Sequence, residues 1–201
     1  MEKPIIFSTE MVKAILAGRK SMTRRVIKPQ PKEQLKCVIQ YETKGRSCWM
    51  EENEDQLSKD FKFHKFYEVG DILWVRETFC YDDFDNGGET IYFKADYTEK
   101  EVKELFTDLD MKWKPSIFMP RYAARLFLKV TNIRVERLQD ITEADAISEG
   151  IGMPLFRTDE VEDYGYVECF QRLWDFLNVK RGYGWDMNPW VWVVEFERVE
   201  K

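Results

Sequence analysis

Gly18-Arg19-Lys20-Ser21-Met22-Thr23-Arg24-Arg25 is the stretch on which the reading of this chain turns. It begins where a helix must stop. Upstream, Ser8 is suited to accept an orphan backbone N–H as an N-cap. Glu10 suits the positive helix end, and Met11, Val12, Ile15 and Leu16 form one apolar stripe at helical spacing. Gly18 fits the left-handed position just past a helix end. Downstream, residues 23–27 read as extended, and Pro29 and Pro31 close that element. Side chains two apart in an extended run share a face. Thr23 and Arg25 therefore point the same way, and Lys20 in the turn reaches that side. A converging ammonium, hydroxyl and guanidinium make a site for an anion or a polar base. The alternative is a solvated basic loop whose stems cover apolar surface.

The surrounding composition sets this stretch apart. The chain has 201 residues, with 31 basic against 37 acidic and a net charge of −6. That balance argues against coating duplex DNA by bulk attraction. Residues 19–28 nevertheless carry Arg19, Lys20, Arg24, Arg25 and Lys28 with no acid. Apolar residues at 44% support one generous core, and aromatics at 15% supply flat faces for core, interface or stacking. Met1-Glu-Lys-Pro-Ile-Ile-Phe7 lacks a charged leader followed by an apolar stretch, and no apolar run nears the roughly 20 residues that cross a bilayer. A cytoplasmic protein with no membrane partner is expected. Cys37, Cys48, Cys80 and Cys169 form no C-x-x-C pair and His64 is the only histidine, so free thiols, no metal and no cofactor are expected.

Farther out, residues 32–66 are charged and irregular, with a hairpin of 36–41 and 47–51 about Lys44-Gly45. They read as an elaboration on a single domain spanning 1–201. Strands are expected at 72–79, 90–95, 125–138 and 189–199. Leu126, Leu128 and Val130 share one face of the third, and Asn132 bends it. Helices are expected at 98–109, with Thr98 and Glu101 spaced as a capping box, and at 142–149, ending at Gly150. Val167, Phe170, Leu173, Trp174 and Leu177 mark the strongest amphipathic helix, read as core packing. About six strands and three or four short helices give an α+β domain around a small, mostly antiparallel β-barrel. Arg76 shares a strand face with Trp74, and Glu77 faces the other way. Arg121 and Arg125, at helical spacing after Pro120, either extend a positive cleft or form a solvated helix face. Tyr183, Trp185 and Trp190 either stack a base, at about 1–3 kcal/mol each, or plug the barrel end.

Leu16-Ala-Gly-Arg-Lys-Ser-Met-Thr-Arg-Arg25 resembles the signature of the ASCH domain, a member of the PUA-like superfamily of small β-barrels with flanking short helices. Gly70-Asp-Ile-Leu-Trp-Val-Arg-Glu77, Ile141-Thr-Glu-Ala-Asp-Ala-Ile-Ser-Glu-Gly150 and Trp190-Val-Trp-Val-Val-Glu-Phe196 resemble further elements of that family. Ile117-Phe-Met-Pro-Arg121 and Lys180-Arg-Gly-Tyr-Gly-Trp185 resemble its phage and prophage members. The resemblance implies binding of RNA or a modified nucleotide in a basic cleft. Arg19, Arg24, Arg25, Arg76, Arg121 and Trp185 are the candidate contacts. A compact bacterial branch of the family hydrolyses N4-acetylcytidine with a Lys, a Thr and a Glu, which by motif are Lys20, Thr23 and Glu149 here. In that chemistry Thr23 attacks the amide carbonyl, Lys20 takes its proton, and Glu149 positions or shuttles protons. A lysine base must fall roughly three units from about 10.4, about 4 kcal/mol. A tight Glu149 partner opposes that fall and makes the pair structural or orienting. The chain is longer than that branch, by 32–66, 80–120 and 151–166. The third reading is a phage accessory protein that acts through a protein partner.

Overall fold

The helix-to-strand turn forms as the sequence predicts. In this computed structural model, which describes residues 1–30, 38–43, 46–53, 56–57, 67–83, 89–108, 112–152 and 165–200, strand β1 (Glu2–Ile6) leads through Ser8 into helix α1 (Thr9–Leu16). The Ser8 hydroxyl accepts from the Met11 N–H at 3.4 Å. Val12, Ala14 and Ile15 are buried. Gly18 takes φ +71°, and the next two N–H groups, of Arg19 and Lys20, both donate to the Ala14 carbonyl at 2.9 and 3.1 Å. The chain then runs out as β2 (Met22–Val26).

Within the 32–66 elaboration, β3 (Val38–Thr43), β4 (Arg46–Asn53) and β5 (Gln56–Leu57) make a small antiparallel sheet of their own. After the turn at Gly70, β6 (Ile72–Arg76) is shorter than the expected strand, and the chain restarts as a hairpin of β7 (Phe79–Asp83) and β8 (Glu89–Phe93). Helix α2 (Glu99–Asp108) follows, with the Thr98–Glu101 capping box in place. Pro120 opens one 3-10 turn (Arg121–Ala123), not a helix. The rest of the frame is β9 (Phe127–Arg137), α3 (Glu143–Ser148), α4 (Tyr166–Asn178) and β10 (Trp190–Val199). The bend expected at Asn132 is a β-bulge. Glu195 faces Asn132 while Phe196 faces Val130, which leaves Thr131 as the extra residue.

The architecture is mixed α+β, with a principal sheet in the order β1-β6-β9-β10-β2. β1 and β6 are parallel, and the remaining neighbours antiparallel. The unbroken apolar run of β10 follows from burial on both faces. Trp192 and Val194 join Ile5, Val12, Val75 and Leu128 on the α1 side. Val191 and Val193 join Met22, Leu138, Phe170 and Trp174 on the α3–α4 side. The sheet is open, with β1 and β2 as its two edges. Among the described residues, no helix is long and apolar enough to cross a membrane, and Cys169 is a free thiol. Pro31, Cys37, His64 and positions 153–164 of the 151–166 insertion lie outside the described residues.

Candidate functional site

Helix α3 delivers Glu149 to the basic motif through its caps. The Thr142 hydroxyl accepts from the Asp145 N–H at 3.1 Å, and the Asp145 carboxylate accepts from the Thr142 N–H at 3.3 Å. Glu149 is the C-cap, and Gly150 turns at φ +87°. A Cβ on Gly150 would lie 2.9 Å from the Cβ atoms of both Ala14 and Lys20, so the end of α3 seats on the end of α1 because no side chain intervenes. The two segments then join as strands do. Lys20 and Glu149 form an isolated antiparallel bridge, and the Ser21 N–H donates to the Ser148 carbonyl at 2.9 Å.

The Lys20 ammonium is buried there and donates three hydrogen bonds, to Glu149 Oε2 at 2.8 Å, the Glu149 carbonyl at 2.7 Å and the Met22 carbonyl at 2.8 Å. Burial pulls its pKa below the ordinary 10.5, and Glu149 works against that fall. All three partners are acceptors, so an uncharged amine would turn its lone pair toward an oxygen. The geometry holds an ammonium. Arg24, equally buried, spans Glu149 at 3.5 Å, Asp145 at 3.0 Å and Glu136 at 3.2 Å. Arg134 extends the network to Asp145 at 3.2 Å and to Glu136 and Glu195. Burial pushes Asp145 upward, but the Thr142 N–H, Arg24 and Arg134 outweigh it and hold the carboxyl below its ordinary 3.8.

Above this network opens a cleft of about 580 Å³, within the usual range for small-molecule sites. It lies where the two sheet edges face each other. Pro4 and Ile6 of β1 border one side and Thr23 and Arg25 of β2 the other. Arg25 closes the gap by donating to the Ile6 carbonyl at 2.7 Å, with its guanidinium 5.5 Å from the Phe7 ring centroid. Burial lowers the Arg25 pKa, Tyr67 and Glu149 oppose that, and Arg181 adds to it. Arginine stays charged regardless. Burial raises the pKa of the Tyr67 phenol against the pull of Arg25. Thr23 is buried and borders the cleft, and its hydroxyl has no hydrogen-bond partner among the described residues. Leu173, Trp174 and Leu177 of α4 form an apolar wall, and the exposed Lys28 and Arg181 stand at the mouth.

The structure therefore pairs Lys20 with Glu149 and sets Thr23 and Glu149 on the border of one cleft, which Lys20 itself does not line. Arg24, Arg25 and Arg76 also border the cleft. Arg76 is tethered by hydrogen bonds to the Met119 carbonyl, at 3.1 Å, and to the Ile117 carbonyl, and it stacks 5.4 Å from the Trp74 ring centroid. Three other candidates are placed elsewhere. Arg19 is exposed and donates to the Gly150 carbonyl at 3.1 Å. Arg121 pairs with Glu2 at 2.7 Å over the Phe127 ring. Trp185 packs edge-on against Phe170 at 6.5 Å in the second core. Arg125 grips the buried Glu77 with two hydrogen bonds, at 2.9 and 3.0 Å, and Asp96 at 2.7 Å. The amphipathic stripe of α4, read as core alone, also makes the cleft wall. The signal for its second role was the pair Lys180-Arg181 set immediately after that stripe. No protein-family model, no curated protein and no solved structure matches the chain.

Proposed function

We propose that this cleft binds a nucleic-acid base, as a modified nucleotide or within RNA, in an ASCH-type, PUA-like barrel left open on one side. The observation that carries this reading is that Thr23, whose hydroxyl has no hydrogen-bond partner among the described residues, borders an apolar-walled cleft together with a Glu149 already neutralised by Lys20 and Arg24. A heterocycle needs what this geometry offers. Trp174 and its leucine neighbours give a flat apolar wall. The Thr23 hydroxyl both donates and accepts to a base edge. Arg25 supplies positive charge for the attached phosphates. The likeness of residues 16–25 and 141–150 to ASCH motifs supports the same assignment.

The same unpartnered hydroxyl favours a second reading, hydrolysis of an acyl group from a base such as N4-acetylcytidine. Lys20 spends its three protons on Glu149 and Met22. It becomes a base only after passing one to Glu149 Oε2, 2.8 Å away. One experiment separates the readings. N4-acetylcytidine is titrated against intrinsic tryptophan fluorescence while released cytidine is followed by chromatography. Thr23→Val keeps the side-chain shape and removes the hydroxyl, and weakens binding about tenfold. Binding without release establishes the binding module. Release that Thr23→Val abolishes establishes the hydrolase. Failure to bind this nucleoside, its nucleotide or single-stranded RNA refutes both and leaves the cleft to a protein partner.

A further inference from the structure

The mouth of the cleft holds charge that the fold does not use. Lys28 follows β2 and Arg181 ends the 3-10 turn after α4 (Val179–Arg181), so two separate elements each bring a cation to the cleft. Neither has an ion pair or a hydrogen bond from its side chain among the described residues. Arg25, between them and the floor, spends its hydrogen bonding on one backbone carbonyl, that of Ile6. Glu149 is the one carboxylate bordering the cleft among the described residues, and Lys20 and Arg24 already saturate it. Among the described residues, no acid other than Glu149 borders the cleft beside these cations.

The mouth is also fixed in shape. Gly182 turns the chain at φ +79°. Tyr183 is then tied down twice, by its own N–H to the Asn178 carbonyl at 3.2 Å and by its carbonyl, which accepts from Trp174 Nε1 at 2.8 Å. The Tyr183 ring in turn holds the Lys28 ammonium 5.1 Å from its centroid. A cation positioned by an aromatic face and a guanidinium without an ion pair among the described residues, on the border of the same cleft, make a receptor for an anion with several acceptor oxygens. Phosphate is that anion. A guanidinium fork engages two of its oxygens and an ammonium a third.

We propose that Lys28 and Arg181, with Arg25 behind them, form a phosphate subsite at the mouth of the cleft, so that its ligand is a phosphorylated nucleotide and not a free nucleoside. The inference rests on the base-binding reading of the floor. A free 5′-monophosphate and an internal phosphodiester of a single strand share the recognised group.

The test measures binding of N4-acetylcytidine, its 5′-monophosphate, a trinucleotide carrying the same base centrally, and inorganic pyrophosphate. Each is titrated against the wild-type chain and against Lys28→Gln/Arg181→Gln. Both sites are exposed, and an unchanged Tm checks that the double variant folds. The monophosphate is expected to bind wild type about tenfold more tightly than the nucleoside. In the double variant that ratio falls to about threefold or less, while the nucleoside affinity stays the same. A trinucleotide that gains as much as the monophosphate places a strand phosphodiester in the subsite; a gain for the monophosphate alone assigns a free nucleotide. A nucleoside that binds as tightly as its monophosphate overturns the subsite and leaves the base-binding reading standing. Pyrophosphate that binds wild type and not the double variant, with neither nucleoside nor nucleotide bound, overturns the base-binding reading and keeps the subsite. No binding by any probe overturns both.

Discussion

The floor and the mouth of one cleft handle charge in opposite ways. At the floor the side chains of Lys20 and Arg24 have no solvent exposure, that of Glu149 has 5%, and each charge meets an opposite one. At the mouth Lys28 and Arg181 are exposed and meet no carboxylate among the described residues. The difference teaches what burial permits. An unpaired charge removed from water costs several kcal/mol, so the floor has to be neutral before any ligand arrives. Water solvates the mouth, which can therefore stay positive. Recognition is divided accordingly. The floor offers fixed dipoles and the Thr23 hydroxyl at short range, and the mouth offers attraction at long range.

The contrast breaks first at Arg24. Arg24→Met leaves Asp145 and Glu136 to Arg134 alone and Glu149 to Lys20 alone, and the expected loss is about 3 kcal/mol in urea unfolding at neutral pH. A loss as small as that of a surface substitution would place the floor on a par with the mouth. A smaller effect, present at neutral pH and fading in acid, belongs to Asp145. Asp145 is held below its ordinary 3.8 in the folded chain. Its stabilisation is therefore complete above that value, and is lost as pH falls through the lower folded value, because the unfolded chain takes up the proton first. Asp145→Asn removes this contribution, and its stability should decline less steeply than wild type below about pH 4. The smallest effect belongs to the mouth. Arg181→Gln should change unfolding stability by no more than about 0.5 kcal/mol, while weakening the monophosphate.

Much of the frame was legible from local chemistry. Ser8, Gly18 and Thr98 announced their caps because each acts on backbone within a few residues of itself. Strand β10 was legible because burial on both faces demands an unbroken apolar run. The pairing of Lys20 with Glu149 came from the family resemblance and not from spacing, since nothing local links residues so far apart. The misplaced candidates share a cause. Arg121 and Trp185 advertise charge and aromaticity, but whether such groups face a ligand depends on what else competes for them, here Glu2 and Phe170. Leu173 and Leu177 were hidden for the converse reason. An apolar stripe on a helix signals burial, and nothing in it says that an open sheet edge leaves part of the stripe lining a cavity.

The junction of Lys20 with Glu149 ties together positions 129 apart in the chain, and Gln30 reaches the Trp190 carbonyl across 160. During synthesis the basic motif emerges long before α3 and α4 exist to complete it. Closing a loop of that length restricts the chain before any contact compensates, so the motif stays without a pocket until the rest of the domain has arrived. Function is then the last thing this chain acquires as it folds. A ligand that recognises the cleft recognises only the finished molecule, and by mass action it holds the molecule in that state.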